Sequence, residues 1–246
     1  GYTEIHDVTS QWGVFAIAGP KSRDLLKSVL NDPDVESALS NKRFPWLSAK
    51  TIEIGMCPVN AIRVAYTGEL GWELHHPIEM QNYLWDRLLL AGSNYGLKLV
   101  GARAQNWLRQ EKSYRAFGTE LGRDATPLEA DLSRFIDLEK EFFGKYKMEA
   151  TGVRVKCVTV LINGPGDADP WGREALYLED GTKVGRLTSG GYSVVFGKSI
   201  GMGYIRPDLA QEGQKLKVKM FNSFWDAEVT CDSPYDPKNE TIRKDG

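Results

Sequence analysis

"AYTGELGWELHHP", residues 65–77, decides how the first half of the chain is read. It holds Gly68 and Gly71 at an expected turn, the carboxylates Glu69 and Glu73, and two of the chain's three histidines. "VNAIRVAYTG" before it and "WELHHP" after it have the partial alternation of strands, and Pro77 closes the second. The plain reading is a hairpin reversed at its glycines, with polar side chains facing water. The functional reading puts Tyr66 and Glu73, on opposite sides of the turn, at one cavity. Composition does not choose between them, because surface carboxylates are usually solvated or weakly paired.

Around this stretch the elements alternate. "WGVFAIAG" (12–19) reads as a buried strand, and "PKSRDLLKSVL" after it as a helix with Leu25, Leu26, Val29 and Leu30 on one side. "SNKRFPWLSAK" is a loop and "TIEIG" a strand. The spacing predicts a helix from about Glu79 to Tyr95 and another over 101–114, where Arg103 and Trp107 share a face. From "RVKCVTVLIN" (154–163) onward, short β-prone runs alternate with glycine turns, and Asp180–Gly181 is a strong hairpin signal. The fold expected is α+β: a mixed portion over 1–150 and a small β-barrel over 151–246.

The net charge of −2 gives no basic footprint for nucleic acid. No apolar run reaches the roughly 18 residues of a membrane span, and the polar start does not read as a secretory signal. Cys57, Cys157 and Cys231 are far apart and odd in number, so they read as structural thiols in a reducing compartment, cytoplasm or mitochondrial matrix. The chain begins at Gly1 rather than Met and enters a strand almost at once, which suggests the back part of something longer.

His75 and His76 look like a metal pair, but neighbours on a strand point to opposite faces and His6 is distant, so no metal site is expected. "GGYSVVFGKS" (190–199) approaches a phosphate-binding loop. The glycine that the pattern needs falls on Tyr192, however, and "SIGMGYI" after it reads as strand rather than helix. The glycines there are read as serving tight turns. Neither a nucleophile elbow nor a dinucleotide fingerprint is present. Tyr66, Glu73, Arg103, Arg109 and Glu111 remain as candidates.

The ordered string says more. "VTSQWGVFAIAGPKSRDLL", "RVAYTGELGWELHHP", "GARAQNWLRQEKSYRAFGTEL", "DATPLEADLSRFIDL" and "LTSGGYSVVFGKSIGMGYIRPDL" together resemble the tetrahydrofolate-binding aminomethyltransferase family. The likeness is closest to the C-terminal part of dimethylglycine and sarcosine dehydrogenases and runs from about residue 7 to 240. It implies a folate site in which Tyr66 and Glu73 match the Y-[TV]-G-E-x-G-[WFV]-E motif and Arg103 matches the arginine of G-[AL]-[AG]-R-D. Ala104 stands where the glycine-cleavage enzyme has Asp, a departure toward the dehydrogenase branch.

The chemistry fits this match. A buried carboxylate accepts two pterin N–H donors, a tyrosine packs beside the flat ring, and an arginine fork suits the carboxylates of the tail. The family's catalytic Asp has no counterpart here, so the catalytic residue is unknown and the front of the folate domain is expected elsewhere. The resemblance implies an enzyme of one-carbon metabolism, in which a flavin site on another domain or subunit, with FAD, oxidises an N-methyl group. Tetrahydrofolate held here would take up the carbon. Two alternatives stay open: a stand-alone folate-dependent aminomethyltransferase, and a non-catalytic assembly module of the same fold.

Overall fold

In the computed structural model, which describes residues 2–245, the quoted stretch enters a four-stranded antiparallel sheet. The elements run β1 (Trp12–Ala18), α1 (Ser22–Val29), α2 (Val35–Ala38), β2 (Ala49–Ile54), β3 (Cys57–Ile62), β4 (Gly71–Pro77) and α3 (Gln81–Gly92). The sheet order is β1-β4-β3-β2. Alternation along β4 is clean: Trp72, Leu74 and His76 are buried, while Glu73 and His75 are half-buried on the other face. The buried set packs with Leu25, Leu26 and Val29 of α1 and with Leu84 and Leu88 of α3.

Three details differ from the sequence reading. The strand at 12–18 is an edge strand with one open face, where Val14, Ala16 and Ala18 are exposed. Its unbroken apolar spelling concealed that alternation. The link from β3 to β4 is a loop over 63–70 rather than a tight hairpin, and Arg63 still pairs its backbone with Ser48. Only Gly68 has the positive φ of a reversal (81°). Gly71 is already in the strand, where a Cβ would stand 2.7 Å from the Ile17 carbonyl oxygen.

The chain continues with α4 (Ala102–Glu111), α5 (Lys145–Thr151), β5 (Lys156–Ile162), β6 (Ala175–Tyr177), β7 (Lys183–Ser193), β8 (Lys198–Ile205), β9 (Lys215–Met220) and β10 (Ser223–Thr230). The six strands close into a barrel of order β10-β5-β8-β7-β6-β9 around Val160, Ile162, Leu176, Leu187, Ile205 and Val218. Asp180 and Gly181, with φ +83°, make the turn between β6 and β7. A short tail helix, α6 (Glu240–Arg243), ends the described chain.

Contacts group Gly1–Val100 with Lys238–Gly246 as one unit and Gly101–Pro237 as the other. The strand-rich character does begin at Lys156. The contact units nevertheless divide at 100/101, ahead of the boundary near 150 read from composition, because α4 packs on β7 and β8.

Candidate functional site

Glu73 stands on the open face of the first unit's sheet, opposite Ala16 of β1 and Ile62 of β3. Its side chain is 39 % exposed and lies 3.2 Å from Nε2 of His75, two residues along the same face. Tyr66 is half-buried in the loop that feeds β4. Glu69, which the plain reading of the turn would place in water, is half-buried as well. His76 points the other way: its ring is fully buried, packs 4.8 Å from Phe15 and uses Nδ1 toward the Leu74 carbonyl oxygen at 2.9 Å. Among the described residues no three His, Cys, Asp or Glu side chains gather as a metal requires.

Arg103 belongs to the second unit, in the first turn of α4, and is exposed. Its guanidinium sits between two indoles, 5.5 Å from the Trp107 ring centre and 5.0 Å from that of Trp171. Such stacking holds a guanidinium in place while its edge stays free to donate. The Trp107 pairing follows from helical spacing. Trp171 lies far along the chain in a loop before β6 and gave no local signal.

Arg109 and Glu111 prove structural. The α4 face turned to the barrel is polar, with Arg109, Gln110 and Glu111 buried. Arg109 donates to Glu120 at 2.9 Å, to Ser189 Oγ at 2.7 Å and to the Tyr114 carbonyl oxygen at 2.7 Å. Glu111 accepts from the Ser193 hydroxyl at the end of β7. The glycine pair 190–191 explains how α4 reaches the strand. A Cβ at Gly191 would fall 2.1 Å from Trp107 Cδ1, and one at Gly190 would fall 2.5 Å from the Pro170 carbonyl oxygen. These glycines sit inside β7 and make room for packing; Gly197, with φ +62°, serves the turn. Strands flank the near-miss loop on both sides, as read from the sequence.

Glu120 is the most heavily bonded acid. Its Oε2 accepts from Arg109, Thr119 Oγ1 and the Ala116 N–H, and its Oε1 from Thr188 and Ser189 hydroxyls at 2.6 Å each. Burial alone would raise this carboxyl, but the Arg109 charge and the two barrel hydroxyls hold it below the usual carboxylate range. The Arg154 guanidinium, with backbone N–H groups of Thr126 and Arg154, holds Glu129 at about 2. Burial pushes the Cys157 thiol up to about 12 and raises Cys57, which suits structural thiols.

A four-stranded sheet packed with helices, followed by a closed six-stranded barrel, defines the class: the chain belongs to the glycine cleavage T-protein family. The family model described as GCVT N-terminal domain matches residues 2–140. The model described as glycine cleavage T-protein C-terminal barrel domain matches residues 156–236. Among particular proteins, the chain is 36 % identical over 256 residues to the mitochondrial dimethylglycine dehydrogenase of Mus musculus, covering 100 % of this chain and 28 % of that protein. It is 36 % identical over 225 residues to the aminomethyltransferase of Caldanaerobacter subterraneus subsp. tengcongensis, covering 89 % and 57 %. The crystal structure of glycine cleavage system aminomethyltransferase T from Bartonella henselae shares the fold, with a TM-score of 0.76 and 21 % identity over 92 % of this chain and 60 % of that one. The chain therefore spans under a third of the dehydrogenase and just over half of the aminomethyltransferase. No helix among the described residues is long and apolar enough to cross a membrane.

Proposed function

We propose that this chain is the tetrahydrofolate-binding, one-carbon transfer portion of an N-demethylating amine dehydrogenase of the dimethylglycine or sarcosine kind. The observation that carries this reading is the likeness to dimethylglycine dehydrogenase, which extends over the whole of the chain. The folate-binding portion is 1–150 and the barrel portion 151–246. Tyr66, Glu73 and Arg103 are the folate-binding residues. Their chemistry fits the group: an acceptor carboxylate on an open sheet face, a half-buried tyrosine beside the strand that carries it, and an arginine steadied by two indoles. Bound tetrahydrofolate would supply the one-carbon acceptor. The chain's own share is to bind and orient it and to shelter the transfer from water. The partners on this reading are a flavin domain or subunit that holds FAD and a further portion of the folate domain. The compartment on this reading is the mitochondrial matrix or the cytoplasm.

Glu73→Ala is expected to weaken tetrahydrofolate binding by roughly 1.5–3 kcal/mol, the scale of a hydrogen bond to a charged group. Calorimetry on the full-length protein, with circular dichroism to check the fold, measures it. Unchanged affinity in a folded variant removes Glu73 from the site. The identity to a stand-alone aminomethyltransferase keeps a second reading in play. Electron transfer from dimethylglycine or sarcosine by the full-length protein separates the two. Absence of folate binding altogether leaves the assembly module.

A further inference from the structure

The second unit has two neighbouring hollows that the folate reading does not use. One, of about 590 Å³, is lined by the loop Gly118–Gly122, Asp124, Ala125, Arg154, Val155, the β7 residues Lys183, Gly185, Arg186 and Thr188, and Tyr204. The other, of about 510 Å³, shares Asp124, Ala125 and Arg154 with the first and adds Arg123 and Lys147.

Their charge is one-sided. The carboxylates of Glu120 and Glu129 are already neutralised by Arg109 and Arg154. Elsewhere on this unit basic side chains find acids: Lys156 meets Asp131, Arg206 meets Asp208, and Lys217 meets Asp226. Around the two hollows they do not. The side chains of Arg123, Lys147, Lys183 and Arg186 form no ion pair or hydrogen bond among the described residues, and the one further carboxylate in the lining, Asp124, lies in the field of Arg154. Four successive backbone N–H groups, Gly122 to Ala125, likewise donate to nothing in the described chain. Runs of unpaired amides form concavities for anions, and Arg and Lys reinforce them with charge-assisted bonds. The rest of the lining is apolar or aromatic: Leu121, Ala125, Val155 and the Tyr204 ring. A Cβ at Gly185 would stand 2.1 Å from the Tyr204 carbonyl oxygen, so glycine there lets β7 lie close against β8 beside the hollow.

We propose that these adjacent hollows form a binding site for a small polyanion, a molecule that carries two or more phosphate or carboxylate groups, with Lys183, Arg186, Arg123 and the 122–125 amides as its ligands. Two hollows that share a wall suit an extended ligand with its charges spaced along it. The site is independent of Tyr66, Glu73 and Arg103.

The test titrates the full chain with pyrophosphate and, separately, with citrate, followed by amide chemical shifts and calorimetry. Saturable binding of at least one is expected, with shifts concentrated at Gly118, Gly122, Ala125 and Gly185. Stronger binding of pyrophosphate assigns phosphate as the head group; stronger binding of citrate assigns carboxylate. The exposed double variant Lys183→Gln with Arg186→Gln should lower affinity about tenfold or more, as loss of charge-assisted bonds implies. A control double variant of two other exposed, unpaired lysines, Lys140→Gln with Lys198→Gln, should leave affinity unchanged. The proposal is overturned by no saturable binding of either anion up to about 10 mM, well short of metabolite-grade affinity. Equal loss in the control variant overturns it too, because the binding then reflects general charge.

Discussion

The two units bury arginine on different terms. In the second, Arg109 and Glu120 are almost wholly buried, and every oxygen and nitrogen of the pair has partners from α4, the 114–120 loop and the barrel. In the first, Arg23 and Arg63 are equally buried, yet both guanidiniums flank the same ring, 5.8 and 5.7 Å from the centre of Trp72. Nε of each arginine, Nη1 of Arg23 and Nε1 of Trp72 have no hydrogen-bond partner. Two like charges there share the tail residue Asp245, which is itself 56 % exposed, and Asp24 attracts Arg23 alone. Burial and the neighbouring Arg23 charge pull Arg63 down to about 10. Burying a charge is tolerable when its hydrogen bonds are complete and costly when they are not. The barrel unit meets that condition; the sheet unit substitutes the faces of one indole, the Phe44 and Ile242 carbonyl oxygens for Arg63, and a long bond to Asn41 Oδ1 for Arg23.

The contrast breaks first at Glu120. Glu120→Ala leaves Arg109 buried with only neutral partners, so a loss of about 3–5 kcal/mol is expected at neutral pH. Urea unfolding of the full chain measures it. The same group gives the pH arm. Its folded carboxyl titrates below its unfolded one, so its stabilisation is complete above the ordinary carboxylate range and disappears as pH falls through the folded value. The gap between wild type and Glu120→Ala should therefore narrow on acidification. A gap that stays constant or widens contradicts the assignment of Glu120 as an ionised partner.

Arg63→Met is the next largest. It removes bonds to Phe44 and Ile242 oxygens but also relieves repulsion with Arg23, so the net cost should be smaller, about 1–3 kcal/mol. The two changes should not be additive: the double variant with Arg23→Met loses more than the two single losses combined, because either change alone already removes the repulsion and the sum counts that relief twice. A single loss as large as that of Glu120→Ala would show the arginine pair to be as well satisfied as the barrel pair.

Which of these features could be read beforehand follows from the range of the signal. The β4 alternation, the Asp180–Gly181 turn and the strand flanks of 190–199 are encoded by neighbours, and they stood out at once. The ordered motifs pointed to Tyr66, Glu73 and Arg103 without revealing what surrounds them. What escaped depends on residues distant in sequence: Trp171 on Arg103, Ser189 and Thr188 on Glu120, Trp107 on Gly191. The role of the second half of α4 escaped for the same reason. Arg109 and Glu111 stood only as candidates, and their burial with Gln110 becomes visible once the barrel supplies their acceptors and donors. The open face of β1 was hidden in a different way, since an edge strand that leaves Val14 and Ala16 uncovered is spelled like a buried one.

The smallest effect is expected at Asp245. Its Oδ1 accepts the Asn41 N–H at 3.0 Å and stands 3.4 Å from Arg23 Nη1, a distance without hydrogen-bond geometry. Nearby, Asn41 Nδ2 bonds the Arg243 carbonyl oxygen at 2.7 Å and Arg243 lies over Trp46, so the tail is held by more than charge. Asp245→Asn keeps an oxygen for Asn41 and removes only the charge. Asp245 is solvent-exposed though Arg23 is buried, so the charge is screened from one side and should contribute about 0–1 kcal/mol, a loss that fades in 1 M salt, where the screening length drops to about 3 Å. Thermal unfolding of both proteins at low and high salt reads it. A loss that persists at high salt, or that approaches the Glu120→Ala value, would mean that Asp245 neutralises Arg23 and Arg63 as fully as Glu120 neutralises Arg109. The two clusters would then be variants of one design, and the unpaired nitrogens around Trp72 would carry no energetic weight.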